Sequence, residues 1–214
     1  MRRRLFLTGP IGCGKSTLIA KALGSTVRHA GGFLTLRVIE GGRLAGFDLA
    51  APSGQPRERF LSFGAGGALR DERPFTRTAP ALLREAAERK FALLDEIGGF
   101  ELMYPDFYEA LTRFFFSGVP CVGVLKALPG AEELRRRVQL PSEYLDAARG
   151  LHELLASDPD TLLLETTGRY DANAEGALRP WPRAAARGTL DRRQSARAGH
   201  KRRRYSAVNP RFGT

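Results

Sequence analysis

Residues 9–17 have the spacing of a phosphate-binding loop. The run Gly-Pro-Ile-Gly-Cys-Gly-Lys-Ser-Thr fits the pattern G-x-x-x-x-G-K-[ST] at every fixed position. Glycines in this pattern let successive backbone N–H groups turn toward a chain of phosphates. Lys15 is predicted to contact the β- and γ-phosphates, and the Ser16 hydroxyl to ligate Mg²⁺. We therefore expect the whole loop to bind nucleotide, through Gly9, Pro10, Ile11, Gly12, Cys13, Gly14, Lys15, Ser16 and Thr17.

The elements around the loop are those that the motif requires. Residues 4–8 form a short apolar run typical of a buried strand, and residues 16–23 have the pattern of a helix that Gly24 ends. Such a helix directs the positive end of its dipole toward a bound anion. The order strand, loop, helix favours a phosphate site over an ordinary glycine-rich turn.

Two adjacent acids follow a second predicted strand. Residues 91–94 are Phe-Ala-Leu-Leu, and Asp95 and Glu96 come directly after them. In a phosphate-loop protein, acids at the carboxyl end of a buried strand lie at the edge of the sheet where the nucleotide binds. Asp95 is therefore predicted to hold Mg²⁺ together with Ser16. Glu96 is predicted to orient or deprotonate the attacking water, with Lys15 as the other catalytic residue.

Three separated segments resemble the THEP1-type nucleoside triphosphatases, in the order that the family has them. They are the loop at 9–17, the segment GGFLTLRVIEGGRLAGFDL at 31–49, and DEIGGFEL at 95–102, which is similar to the family signature DEIGKMEL. The resemblance covers about residues 4–166. It implies a RecA-like or nucleotide-kinase-like domain that hydrolyses nucleoside triphosphates with Mg²⁺ and discriminates poorly among bases. By this resemblance the Walker A loop is 9–17, and the Walker B acids are Asp95 and Glu96.

Other residues have roles that the sequence leaves open. Glu101 matches the second acid of the family signature, whereas Gly99-Phe100 stands where the family has Lys-Met. Lys126 ends a strand where His-Arg is expected, and it is either a phosphate contact or a capping or surface residue. Arg37 either approaches the phosphates or is a solvated strand residue. The run Arg135–Arg137 is either a lid over the phosphates or the solvated face of a helix.

Strand and helix patterns alternate along most of the chain. This alternation predicts an α/β fold, a three-layer α/β/α sandwich around a mostly parallel sheet. Two β-rich runs joined at Gly41-Gly42 add a β-hairpin. Residues 60–75 contain several glycines and are expected to be an irregular, mobile loop. The other predicted strands are 119–125 and 161–165, and the other predicted helices are 80–89, 104–116, 132–137 and 141–155.

The positive charge of the chain is concentrated at its end. We expect a P-loop domain at 1–177 and a basic, disordered tail at 178–214. The tail holds eleven Lys and Arg and one acid, and so carries ten of the eleven net positive charges. Three interpretations of the tail stay open: a nucleic-acid-binding arm centred on His200–Tyr205, a solvated extension, or the arginine-rich product of a shifted reading frame.

Composition indicates a cytoplasmic protein without a membrane span. No apolar run approaches the roughly 20 residues that cross a bilayer, and the basic start MRRR lacks the apolar stretch of a secretory signal. Cys13 and Cys121 have no disulfide or metal spacing, and the three histidines are scattered along the chain. Nucleoside triphosphates are the expected partners.

The function that we expect is Mg²⁺-dependent hydrolysis of ATP, GTP, CTP and UTP. An acid directly after Asp95 favours hydrolysis, because an acceptor hydroxyl takes the place of the water in a kinase. Two alternatives remain: a nucleotide or small-molecule kinase, and a nucleic-acid-binding module that nucleotide switches.

Overall fold

An eight-stranded sheet forms the centre of the computed structural model, which describes residues 2–168 and 171–187. The strands are Arg4–Thr8 (β1), Gly31–Glu40 (β2), Arg43–Ala50 (β3), Arg57–Gly64 (β4), Gly67–Arg70 (β5), Ala92–Ile97 (β6), Cys121–Leu125 (β7) and Thr161–Glu165 (β8). Their order across the sheet is β5-β4-β3-β2-β6-β7-β1-β8. The five strands from β2 to β8 in this order are parallel, and β3, β4 and β5 extend the sheet in antiparallel fashion.

Helices cover both faces of the sheet, which confirms the predicted α/β sandwich. They are Lys15–Leu23 (α1), Ala79–Ala86 (α2), Pro105–Ser117 (α3), Leu128–Val138 (α4), Glu143–Ser157 (α5), Ala172–Leu178 (α6) and Trp181–Arg187 (α7), with short helical turns at Gly24–His29, Pro74–Thr78 and Phe100–Met103. Phe6 and Leu94 belong to the core under α2 to α5, whereas Leu5 and Leu93 belong to the core under α1, α6 and α7. This alternation follows from the two-residue period of a strand buried on both faces. Within the described ranges, no helix has the length and apolarity to cross a membrane.

The sheet order brings the two predicted motifs to one edge. Strand β7 lies between β1, which leads into the phosphate loop, and β6, which carries Asp95 and Glu96. All three strands are parallel, so their carboxyl ends meet at the same edge of the sheet. Residues at the end of β7 therefore lie between the loop and the acids.

The hairpin of β2 and β3 is confirmed, but the loop predicted at 60–75 is wrong. This segment continues β4, forms β5, and ends in the helical turn Pro74–Thr78. Phe60 and Leu61 are buried, and β4 pairs with β3 from Arg57 to Ser62. The glycines at 64–67 lie at the turn of a second hairpin, and their number concealed the apolar strand before them.

The packed part of the chain continues past residue 177, the predicted end of the P-loop domain. Helix α7 follows α6 directly, and its Trp181 is fully buried with its ring edge-on to Phe91, 6.0 Å between centroids. The apolar signal here depends largely on one large residue, which a periodicity argument detects poorly. Residues 188–214, with the His200–Tyr205 patch, lie outside the described residues, so the disordered tail and its nucleic-acid contacts stay predictions.

A buried ion pair fixes β1 at the edge opposite the motifs. Arg4 is 1% exposed, and its Nε donates to Asp158 Oδ2 at 3.1 Å and to Thr161 Oγ1 at the same distance. Burial raises the pKa of Asp158, but the Arg4 guanidinium and hydrogen bonds donated by Arg4 and by the Thr161 hydroxyl outweigh burial and hold that pKa below its usual range. The pair ties the start of β1 to the start of β8, and so supports the strand that presents the phosphate loop.

Candidate active site

The phosphate loop has the backbone shape that its glycines permit. Gly9 has φ +139°, and a Cβ at this position would lie 2.1 Å from the Thr166 carbonyl oxygen. Gly14, at φ +100°, directly precedes α1 and has no side chain that could cap the helix. The first N–H groups of α1 are therefore free of a side-chain cap and can bind an anion. Any larger residue at Gly9 would force the loop away from β8.

Lys15 lies across its own loop. Its Nζ donates to the carbonyl oxygen of Gly9 at 3.0 Å and of Pro10 at 2.6 Å. These carbonyls hold the ammonium group at the mouth of the loop, where phosphate oxygens would compete for the same donors. Lys15 thus lines the cavity in front of the loop, and its contact with phosphates stays a prediction.

Ser16 and Asp95 form the contact between the two motifs. Ser16 Oγ donates to Asp95 Oδ1 at 2.7 Å, although 79 residues separate them. Asp95 is 5% exposed, and this burial raises its pKa to about 7, opposed by the Ser16 hydrogen bond and by the positive charge of Lys15. A hydroxyl and a carboxylate side by side are the oxygen donors that Mg²⁺ prefers, so these two residues fit the predicted metal site.

The hairpin is anchored to the acidic strand through Thr35. Its Oγ1 donates to the backbone carbonyl of Asp95 at 3.1 Å, just beyond the residues where β2 pairs with β6. Thr35 also lines the cavity in front of the loop. Sequence reasoning gave Thr35 no role, and the only signal was its place in the segment that resembles the family.

Glu96 has an unusual backbone conformation. Its φ is +64°, a left-handed value that a residue with a side chain seldom adopts, and the pairing of β6 with β7 is interrupted between Leu94 and Ile97. Such strain persists where the surroundings impose it, and it is frequent at functional sites. The Glu96 carboxylate forms an ion pair with Lys126 Nζ.

Lys126 is held at the end of β7, between the loop and the acids. Its side chain is only 11% exposed. Two hydrogen bonds hold its backbone. The Lys126 N–H donates to the Ile97 carbonyl oxygen at 2.8 Å, and the Lys126 carbonyl oxygen accepts from His152 Nε2 at 2.7 Å. Of the two roles that the sequence left open, the structure favours one at the site, because Lys126 lines the cavity and contacts Glu96.

A cavity of about 300 Å³ lies in front of the loop. It is lined by residues of the loop, of β2 and β3, and of the ends of β6 and β7: Gly9, Ile11, Gly12, Gly14, Lys15, Ser16, Thr17, Thr35, Arg37, Phe47, Glu96, Val124, Lys126 and Ala127. Pro10, Cys13 and Asp95, which the sequence also assigned to the site, are not among the residues that line this cavity. The cavity brings three cations, Lys15, Arg37 and Lys126, to the same space, and this suits a polyanionic ligand.

Arg37 lines the cavity in front of the loop, as it must if it approaches the phosphates. The Arg37 guanidinium lies opposite the loop, with Nη2 4.0 Å from the position that a Cβ on Gly12 would take. In the described part of the chain no acid lies within ion-pair distance of it. The run Arg135–Arg137 lies on α4, and Arg137 covers the ring of Phe63 at 5.2 Å. None of the three arginines lines the cavity in front of the phosphate loop.

Glu101 supports the turn that follows the two acids. It is 4% exposed, and its Oε1 accepts hydrogen bonds from the N–H groups of Gly98 and Gly99, at 2.7 Å each. Tyr144 Oη donates to the Gly98 carbonyl at 2.9 Å. Burial raises the pKa of Glu101 to about 7. Glu101 therefore positions the backbone after Glu96, a role that its match to the family signature did not specify.

Comparisons with known proteins identify relatives of this chain. A family model described as NTPase matches residues 4–142. The bovine cancer-related nucleoside-triphosphatase homolog is 32% identical over 161 residues, covering 64% of this chain and 85% of the relative. The nucleoside-triphosphatase THEP1 of Thermococcus kodakarensis is 29% identical over 147 residues, covering 58% of this chain and 77% of the relative.

A solved structure supports the fold. The crystal structure of THEP1 from Aquifex aeolicus aligns with a TM-score of 0.53 at 23% identity, covering 81% of this chain and 96% of that one. The match to the family model spans more than half of the chain and includes the phosphate loop, the hairpin and both acids. The chain therefore belongs to the THEP1-type family of nucleoside triphosphatases.

Proposed function

We propose that this chain hydrolyses nucleoside triphosphates to diphosphates and phosphate, depends on Mg²⁺ and tolerates different bases. The observation that carries the proposal is the bond between Ser16 and Asp95 beside the phosphate loop, with Glu96 as the next residue. A hydroxyl from one motif and a carboxylate from the other meet where a metal-bound phosphate chain would end. The names of the relatives, nucleoside triphosphatases, agree with this reaction.

Each residue of the site has its own role in the proposed hydrolysis. Lys15 and the N–H groups at the start of α1 bind the phosphates and stabilise the charge that develops on the leaving diphosphate. Ser16 and Asp95 would hold Mg²⁺, which, when bound, neutralises charge on the phosphates. Glu96 orients a water molecule toward the γ-phosphorus and takes up its proton while the bond to the bridging oxygen breaks.

Base tolerance is supported by what lines the cavity. Its polar groups are cations, hydroxyls and an acid near the loop, and no Asn or Gln side chain belongs to the described lining. Strong discrimination among bases needs buried hydrogen-bonding groups that match one base and stay unpaired with the others. The site therefore recognises mainly the triphosphate, which all nucleoside triphosphates share.

The direct test is phosphate release from ATP, GTP, CTP and UTP. We expect slow release from all four, with kcat/KM values within about tenfold of one another, because the contacts go to the shared phosphates. Replacing Mg²⁺ by EDTA is expected to abolish release. Hydrolysis of one nucleotide alone would contradict base tolerance, and tight binding without release would favour the kinase or the nucleotide-switched module.

Lys126 is proposed to supply a positive charge to the transition state from within the chain. Its Nζ lies at Glu96 in the same cavity as the phosphate loop, where a cation can stabilise charge on the γ-phosphoryl group. We expect Lys126→Met to lower kcat about a hundredfold while changing KM little, because the interaction strengthens in the transition state. Steady-state hydrolysis of ATP measures this. Lys90→Met, at an exposed lysine outside the cavity, is the control, and an unchanged kcat in Lys126→Met would remove Lys126 from the mechanism.

A further inference from the structure

A second, smaller cavity adjoins the one in front of the phosphate loop. Its volume is about 130 Å³, and one wall is a group of five phenylalanines, which we name the aromatic box: Phe47, Phe60, Phe63, Phe75 and Phe100. The Phe60 ring contacts those of Phe47, Phe75 and Phe100 at centroid distances of 6.2, 4.9 and 5.8 Å. Helix α4 also lines this cavity, through Leu134 and its neighbours. The box is thus a preformed space with an aromatic wall, not a gap that a side chain must vacate.

The aromatic box opens at the groups proposed to act on the γ-phosphate. Six residues line both cavities: Ile11, Thr35, Arg37, Phe47, Glu96 and Lys126. A molecule in the box therefore has one end beside Glu96 and Lys126. If the nucleotide binds as proposed above, that end faces the γ-phosphorus, at the place that the attacking water would take. This step rests on the proposed function.

The size and lining of the box define the chemical class of its occupant. An apolar cavity of about 150 Å³ accommodates one benzene molecule, so 130 Å³ suits a single six-membered ring. The faces and edges of the phenylalanines favour a flat ring. The lining has three basic side chains, Arg37, Lys126 and Arg137, and three acidic ones, Glu96, Glu101 and Glu133. This balance favours an occupant without net charge.

We propose that the aromatic box binds an uncharged, single-ring alcohol that accepts the γ-phosphoryl group of the nucleotide. The hydroxyl oxygen of the alcohol forms a bond to the γ-phosphorus, and the bond from that phosphorus to the β–γ bridging oxygen breaks. The hydroxyl proton passes to the Glu96 carboxylate, and the products are a phosphate monoester and a nucleoside diphosphate. Glu96 serves water and alcohol alike, because it lines both cavities. Hydrolysis is then the reaction that occurs when the box is empty.

Benzyl alcohol is a suitable probe, since it joins one aromatic ring to one primary hydroxyl. Saturation-transfer NMR without nucleotide measures its binding, which we expect in the millimolar range for so small a ligand. With ATP and Mg²⁺, ³¹P NMR is expected to show benzyl phosphate beside inorganic phosphate. Toluene, which lacks the hydroxyl, is expected to compete for the box and to give no phosphorylated product.

Two variants and a matched control test where the probe binds. Leu134→Trp fills the box and is expected to weaken benzyl alcohol binding at least tenfold and to abolish benzyl phosphate. Phe63→Ala removes one wall of the box and is expected to lower both benzyl alcohol binding and benzyl phosphate formation. This second variant keeps the test valid if Leu134→Trp impairs folding. Leu69→Trp adds the same bulk on the exposed strand β5, where Leu69 is 75% exposed, and is expected to behave as wild type.

The outcomes separate this inference from the proposed function. Phosphate release from ATP without benzyl phosphate, or benzyl phosphate formed equally by Leu134→Trp, would overturn the acceptor site and leave hydrolysis intact. Absence of any phosphate release from wild type would overturn the hydrolase instead. The NMR binding experiment needs no nucleotide, so it tests the aromatic box even if wild type releases no phosphate. Benzyl alcohol binding that is unchanged in Leu134→Trp would then show that the box is not the binding site.

Discussion

Glu96→Gln is expected to leave nucleotide binding intact and to lower kcat for ATP hydrolysis by about 10²–10⁴-fold, the usual contribution of a positioned general base. Gln has nearly the shape of Glu, so it keeps the packing of the end of β6, but it cannot take up a proton. Among the described residues, Glu96 has no hydrogen bond to the phosphate loop and pairs instead with Lys126, so the phosphate contacts expected of Lys15 and Ser16 persist. Single-turnover hydrolysis and equilibrium binding of ATP separate the two effects.

The control for this experiment is Glu88→Gln, which makes the same chemical change at an exposed residue outside both cavities. It is expected to hydrolyse ATP at the wild-type rate. If Glu96→Gln did the same, Glu96 would not be the group that activates water, and the left-handed backbone at this residue would need another explanation. Loss of binding in Glu96→Gln would instead mean that the pair with Lys126 holds the site open for nucleotide.

The sequence predicted the parts of the fold in which local residues decide the outcome. Strands β1 and β8 have the bounds expected from their apolar runs. Strand β1 is buried on both faces, and such strands are nearly continuous in hydrophobic residues. Strand β8 lies at the edge of the sheet and is only partly buried, but its run of leucines marks it equally well. The phosphate loop was equally clear, since its spacing and the elements around it are all within about 20 residues. Ser16 and Asp95 were predicted to act together, and the structure places their side chains in contact.

What the sequence could not provide depends on contacts between distant segments. The pair of Glu96 with Lys126 arises because β6 and β7 are neighbours and because β6 is distorted at Glu96. Neither the strand order nor a left-handed φ can be inferred from residue types at these positions. Strand β4 was missed because the glycines of the following turn suggested irregular structure, although Phe60 is buried. The aromatic box is of the same kind, since its phenylalanines come from four separate segments.

Lys15→Met is expected to weaken binding of Mg²⁺-ATP about a hundredfold, which corresponds to losing one or two hydrogen bonds to a charged group. Lys15 Nζ bonds the Gly9 and Pro10 carbonyls, and phosphate oxygens are stronger acceptors for the same ammonium group. Met keeps most of the length of the side chain and removes the charge and the donors. The loop is expected to keep its shape, because its conformation depends on its glycines and on α1.

The measurement is calorimetric titration with ATP, carried out in the Glu96→Gln background so that the ligand is not consumed. Lys21→Met is the matched control, because Lys21 lies on the same helix and its ammonium group forms an exposed pair with Glu175. Exposed pairs contribute little, so this variant is expected to bind ATP as its parent does. Equal affinity in the Lys15 and Lys21 variants would mean that the loop amides alone hold the phosphates. A selective loss at Lys15 would assign the phosphate contact to its ammonium group and, together with Glu96→Gln, separate the residue that binds the nucleotide from the residue that activates the water.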